Sequence, residues 1–90
     1  IVWSQKALAQ FRFTVRYWDL RNQSQSYSKR FKDLILRELN ILLEFPNAFP
    51  ESTPGTRKMT VDNFIILYTI KAESIVVIHF YDGRQNRPSH

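Results

Sequence analysis

Four side chains in the C-terminal half could do chemistry together: Arg57, His79, Tyr81 and Arg84. A guanidinium holds a phosphate through two parallel N–H donors. An imidazole can act as general acid or base near neutral pH, and a phenol can donate a proton or stack on a base. Such a set would suit a phosphate backbone. Each member also has a structural reading. For His79 that is a half-buried strand histidine bonded to a neighbour, which spacing alone favours. For Tyr68 and Tyr81 it is cross-strand packing, and for Arg57 an edge-strand charge that discourages aggregation. Glu51 is the one loop acid placed to serve as a base, with plain solvation as the alternative. The stretch FYDGRQNRP, residues 80–88, puts Asp82 two positions before Arg84. Arg84 could face a target there, or Asp82 could pair with Arg84 or Arg57 and fix the turn.

The elements that would position these residues follow from the pattern. Ser4 is an N-cap type after the short apolar start IVW. Leu8, Phe11, Val15 and Trp18 fall on one helical stripe, so a helix is expected over residues 5–20. RNQSQS breaks it, and Ser24 or Ser26 can cap a second helix with Phe31, Leu34, Ile35, Leu39 and Leu42 on its apolar face. That helix should stop at Phe45, because the residue before Pro46 avoids helical backbone. The two helices read as an antiparallel hairpin. FPNAFPESTPG reads as a loop. Three strands follow, over residues 56–61, 64–70 and 74–81. Asp62-Asn63 is the first expected hairpin turn and the four residues KAES the second.

The expected fold class is α+β, in the order β-α-α-β-β-β, with the helical hairpin packed on one face of a small antiparallel sheet. Strict alternation then gives three rows: Arg57–Tyr68–Val77, Met59–Ile66–His79 and Val61–Phe64–Tyr81. Arg57, His79 and Tyr81 would share one face, with Arg84 just beyond. A slip of one residue would reverse this. Trp3, Phe11, Trp18 and Phe31 are expected in the core, and the Lys29-Arg30-Lys32 run is expected on a solvated helix face.

Composition limits the function classes. The chain has 90 residues, sufficient for one small domain, and 43% are hydrophobic, which argues against disorder. It has no Cys, which excludes a disulfide scaffold and a thiolate metal site and fits a reducing cytoplasm. His79 and His90 alone cannot make a zinc site. No glycine-rich phosphate loop, paired carboxylates or Ser-His-Asp arrangement is present, and no cofactor is expected. No membrane-length apolar run or signal-peptide pattern is present. The formal charge of +5 favours an anionic partner.

Order and local signatures together resemble the RelE/ParE superfamily, toxins of bacterial type II toxin–antitoxin systems. The resemblance rests on W-S-x-x-A at Trp3 to Ala7, on YWDLRNQSQSYSKRF across the helix break, and on LLEFPNAFP. In the sheet half it rests on GTRKMTVDNFIILYTI and IVVIHFYDGRQNRP. The tail is similar to the ParE-like branch more than to RelE itself. The resemblance implies one of two activities: RelE-like cleavage of messenger RNA on the ribosome, or ParE-like poisoning of DNA gyrase without nuclease activity. It places Arg57 at the strand arginine common to both branches and Arg84 at the arginine near the end of the last strand. His79 and Tyr81 approximate the RelE-like acid/base positions. Lys58 stands alone where the best-known nucleases carry a lysine-rich stretch, and Glu51 could serve as in members that use a glutamate. The implied partner is a cognate antitoxin whose flexible segment wraps the toxin. The competing expectation is a degenerate, non-catalytic toxin fold that acts only in a protein complex and in operon repression. A general RNA-binding domain fits less well, because no strand carries an aromatic pair at the required spacing.

Overall fold

The computed structural model describes residues 1–85; His90 and the end of the stretch FYDGRQNRP lie outside them. Ser4 caps the first helix as its type allows, its hydroxyl accepting from the Ala7 N–H at 3.0 Å. This helix, α1 (Gln5–Asn22), runs two residues past the expected end. Gln23 closes it in the left-handed region at φ 52°, so that the N–H groups of Gln23 and Ser24 reach back to the carbonyls of the last turn. The second helix, α2 (Ser26–Glu44), starts without a serine as N-cap. Gln25 holds that position and makes no side-chain cap, while Ser24 instead accepts from the Ser26 N–H. The helix ends at the residue before Pro46, as expected.

The helices pack on one face of a five-stranded sheet of order β1-β5-β4-β3-β2. Its strands are β1 (Val2–Trp3), β2 (Glu51–Thr53), β3 (Thr56–Val61), β4 (Phe64–Lys71) and β5 (Ser74–Asp82). The expected α+β order and helical hairpin are present. The sheet is mixed, however, because β1 runs parallel to β5, and the proline-rich loop contains the extra strand β2. A Pro54-Gly55 turn joins β2 to β3, with Gly55 at φ +81°, a conformation that favours glycine.

One irregularity decides which side chains face the helices. Tyr68 pairs with Val77 but Leu67 pairs with His79, so Ile78 is an extra residue in β5. The bulge reverses the alternation. Ile75 and Val77 are buried before it, and Phe80 and Asp82 after it. Ser4 holds this stretch of β5, its N–H donating to the Val77 carbonyl at 2.9 Å and its hydroxyl to the Ile78 carbonyl at 3.3 Å. Gln10 of α1 then accepts from the Phe80 N–H at 2.9 Å.

The core lies between sheet and helices. Phe31, Ile35, Leu39 and Leu42 of α2 meet Met59, Phe64, Ile66, Tyr68 and Phe80 of the sheet. The expected core rings are there: Trp3 contacts Phe11, Phe11 contacts Phe80, and the series continues through Phe64, Phe31 and Tyr27 to Trp18. No helix among the described residues is long and apolar enough to cross a membrane.

KAES is not a four-residue loop. Its strand pairing continues through Lys71 and Ser74, leaving Ala72-Glu73 as a two-residue turn with φ of 47° and 65°. Both positions require the left-handed region, where neither residue type is at ease. Replacing the pair with Asn-Gly (Ala72→Asn with Glu73→Gly) is therefore expected to raise unfolding stability by about 1 kcal/mol. Urea unfolding monitored by tryptophan fluorescence checks this, and a lower stability would contradict the turn assignment.

Candidate functional site

The bulge separates the side chains that simple alternation puts together. Arg57 lies on the helix side of the sheet with Met59 and Val61. His79 and Tyr81 lie half-buried on the opposite, helix-free face. This corrects the expected rows: Met59–Ile66 continues to Phe80, and Val61–Phe64 continues to Asp82. The row containing His79 is Lys58–Leu67–His79, and the row containing Tyr81 is Thr60–Ile65–Tyr81. Two strand spacings put Lys58 and His79 roughly 10 Å apart at their backbones. Lys58 is thus a basic residue on the face of His79 and Tyr81. Parity without the bulge hides this. The one sequence signal was that strict alternation would bury His79 and expose Phe80.

Arg57 holds the chain. Its Nη1 donates to the Phe49 carbonyl at 2.6 Å, fixing the loop that leads into β2. Beside it in the sheet, the Tyr68 hydroxyl donates to the Pro46 carbonyl at 2.8 Å. Burial pushes the Tyr68 phenol up, against the opposing effect of the Arg57 charge. Glu51 is exposed, and its carboxylate accepts from the Gly55 N–H at 3.3 Å, bracing the β2–β3 turn.

Arg84 is tied more extensively. Asp82, 0% exposed, accepts from the Arg84 Nε at 3.0 Å, the Arg84 Nη2 at 3.0 Å and the Arg84 backbone N–H at 2.9 Å. The Trp18 indole N–H donates to the same carboxylate at 2.8 Å. Arg84 Nη2 also donates to the Tyr27 hydroxyl at 2.6 Å. The guanidinium carbon stands 4.5 Å from the centre of the Trp18 ring, 5.3 Å from Phe64 and 5.5 Å from Tyr27. Contacts at this range are favourable between a cation and an aromatic face. This clasp joins the end of β5 to both helices. Of the two pairings open to Asp82 in the sequence, the fold adopts the one with Arg84. Of the aromatic walls, Trp18 was legible only as a core residue, and Tyr27 carried no expectation at all.

Burial alone would push the Asp82 carboxyl up. Hydrogen bonds from the Arg84 side chain and backbone and from Trp18 outweigh it, and the carboxyl lies below its ordinary value. The bond to Asp82 likewise raises Arg84, against desolvation. Among the described residues no group of three or more His, Asp or Glu side chains could hold a metal ion.

The clasp has a pH signature. The folded pKa of Asp82 lies below the unfolded value of about 3.9. Its stabilisation is therefore present above the unfolded value and lost as pH falls through the folded one. Asp82→Asn is expected to cost about 2–3 kcal/mol near neutral pH and to remove this part of the acid sensitivity. Urea unfolding of both proteins between about pH 7 and pH 2 checks this. Equal stabilities, or the same pH dependence in both, would contradict it.

Comparison with known proteins bears on the same geometry. No curated protein sequence matches the chain at a significant level. Its fold is similar to a solved chain described as "Chromosomal ParDE TA system from P. aeruginosa", with a TM-score of 0.72 at 18% identity, covering 89% of this chain and 90% of that one. At that identity the likeness establishes the fold. A family model described as the ParE toxin of the type II toxin–antitoxin system, parDE, matches residues 1–87. A match over nearly the whole length, on this β-α-α-β-β-β-β fold, means that the chain belongs to the ParE toxin family of type II toxin–antitoxin systems.

Proposed function

We propose that this chain arrests bacterial growth by poisoning DNA gyrase, that it does not cleave messenger RNA, and that a cognate antitoxin neutralises it in the cytoplasm. The observation that carries the choice between targets is the separation of the candidate set: Arg57 and Arg84 lie on the helix side of the sheet, and His79 and Tyr81 lie on the opposite face. A nuclease would need cations beside its acid–base pair as charge builds on the scissile phosphate, and Lys58 stands a full strand away from His79, across Leu67. Arg57 bonds the Phe49 carbonyl, and Arg84 bonds Asp82 and Tyr27. The helix-free face keeps Lys58, His79 and Tyr81, with the apolar Leu67 and Ile65 between the strands' polar members. That surface suits protein contact: a half-buried apolar strip with few charges. The net charge of +5 favours an antitoxin segment bearing acidic residues.

Induction of the chain alone in a bacterial culture tests this, with primer extension on a reporter message and a plasmid cleavage assay containing purified gyrase. The expected outcome is growth arrest, intact message and gyrase-dependent linear DNA. Tyr81→Phe, which removes one hydroxyl, is expected to keep the arrest. New cuts in the message that disappear in Tyr81→Phe would overturn the proposal in favour of ribosome-dependent cleavage. Absence of arrest would favour a non-catalytic module that acts only in complexes.

A further inference from the structure

Basic charge concentrates where the two helices meet the end of the sheet. Residues 16–32 carry five basic side chains and one acidic. Three guanidiniums there surround a single aromatic pair. Trp18 and Tyr27 meet edge to face with centroids 5.4 Å apart. The Arg21 guanidinium lies 5.9 Å from the Trp18 centroid, that of Arg30 lies 5.8 Å from the Tyr27 centroid, and Arg84 lies within 5.5 Å of both. Ring contacts of this kind restrict long side chains while leaving their N–H donors pointing elsewhere.

The donors of Arg21 and Arg30 lack an internal anion. Among the described residues the one ion pair joins Arg84 to Asp82, so no carboxylate neutralises Arg21 or Arg30. Both are exposed. Arg84 presents its Nε and Nη2 to Asp82 and Tyr27, while its Nη1 makes no hydrogen bond among the described residues, and its side chain is 34% exposed. The clasp therefore holds one arginine with its fork end outward, between two arginines that have ring contacts but no ion-pair partner among the described residues.

We infer that Arg21, Arg30 and Arg84 form a contact surface for the phosphate backbone of duplex DNA. The arrangement favours a duplex over a single strand. Binding of single strands relies on stacking bases on open ring faces, whereas the Trp18 and Tyr27 rings already carry guanidiniums and the edges of Tyr17 and Phe31. It favours DNA over an acidic peptide because a peptide needs an apolar pocket for its anchors. Phe64 beneath Arg84 is fully buried, and the apolar groove of α1 lined by Phe11, Val15 and Leu20 is flanked by Arg12, Arg16 and Lys32, not by these three arginines. Charge on a surface with no pocket between its arginines is sufficient for backbone phosphates. The inference is independent of the target proposed above: the surface would hold DNA whether the partner were gyrase, an operator or neither.

Fluorescence anisotropy of a labelled 20-base-pair duplex of arbitrary sequence, titrated with the purified chain across a salt series, tests the inference. Three phosphate contacts would give a slope of log affinity against log salt of about −2.7. Arg21→Gln with Arg30→Gln touches no hydrogen bond of the fold and is expected to move the slope to about −1. A control with the same charge loss on exposed residues elsewhere, Arg37→Gln with Lys71→Gln, is expected to keep the original slope. No binding at low salt would overturn the inference, as would an equal effect of the two double variants. Loss of polyglutamate binding with unchanged DNA binding in the Arg21/Arg30 variant would also overturn it, and would assign the surface to an acidic peptide.

Discussion

Asp82 is a fully buried carboxylate at the end of the last strand, and the arrangement around it depends on its staying charged. A lone buried charge is costly, but this one accepts from the indole of α1 and from the backbone and side chain of Arg84. Arg84 in turn bonds Tyr27 of α2 and lies against three rings. A single ionised group thus links sheet, first helix and second helix at one end of the molecule. The series of ring contacts from Trp3 to Trp18 carries the same link through the core.

The bulge at Ile78 makes the clasp possible. Without the extra residue His79 and Tyr81 would point at the helices and Asp82 at solvent. With it, Phe80 enters the aromatic core, Asp82 reaches Trp18, and His79 and Tyr81 move to the open face beside the row of Lys58. Ser4 and Gln10 bind the backbone on either side of the irregularity, so the first turns of α1 help set the phase of a strand some seventy residues later. Packing and surface chemistry are coupled through this parity: one inserted residue decides which side chains leave the helix side.

The legible parts of the fold were those governed by local rules. Ser4 as a cap, the break at Gln23, the stop before Pro46 and the three long strands all follow from residue type and period. The pairing of β3 with β4 followed too, because the Asp62-Asn63 turn fixes its register. What could not be read was non-local. The parallel pairing of β1 needs the whole sheet to exist first. The strand at 51–53 lies among prolines and is stabilised by β3 and by the Gly55 turn, not by its own propensity. The bulge has no local signature beyond the preference for Phe80 over His79 inside. The candidate site suffered most, since its membership depended on parity. Arg57 and Arg84 read in the sequence as candidate site arginines, and each is held by a backbone or carboxylate partner that no spacing rule could supply.

If the clasp organises this end of the molecule, Asp82 and Arg84 must be energetically coupled and not merely adjacent. A double-mutant cycle measures that directly: urea unfolding of the parent chain, Asp82→Asn, Arg84→Gln and the double variant. The sum of the two single losses is expected to exceed the double loss, with a coupling of about 1–3 kcal/mol. Losses that add to within about 0.5 kcal/mol would contradict it, leaving Arg84 free of the fold and open to the catalytic role that its position in the sequence first suggested.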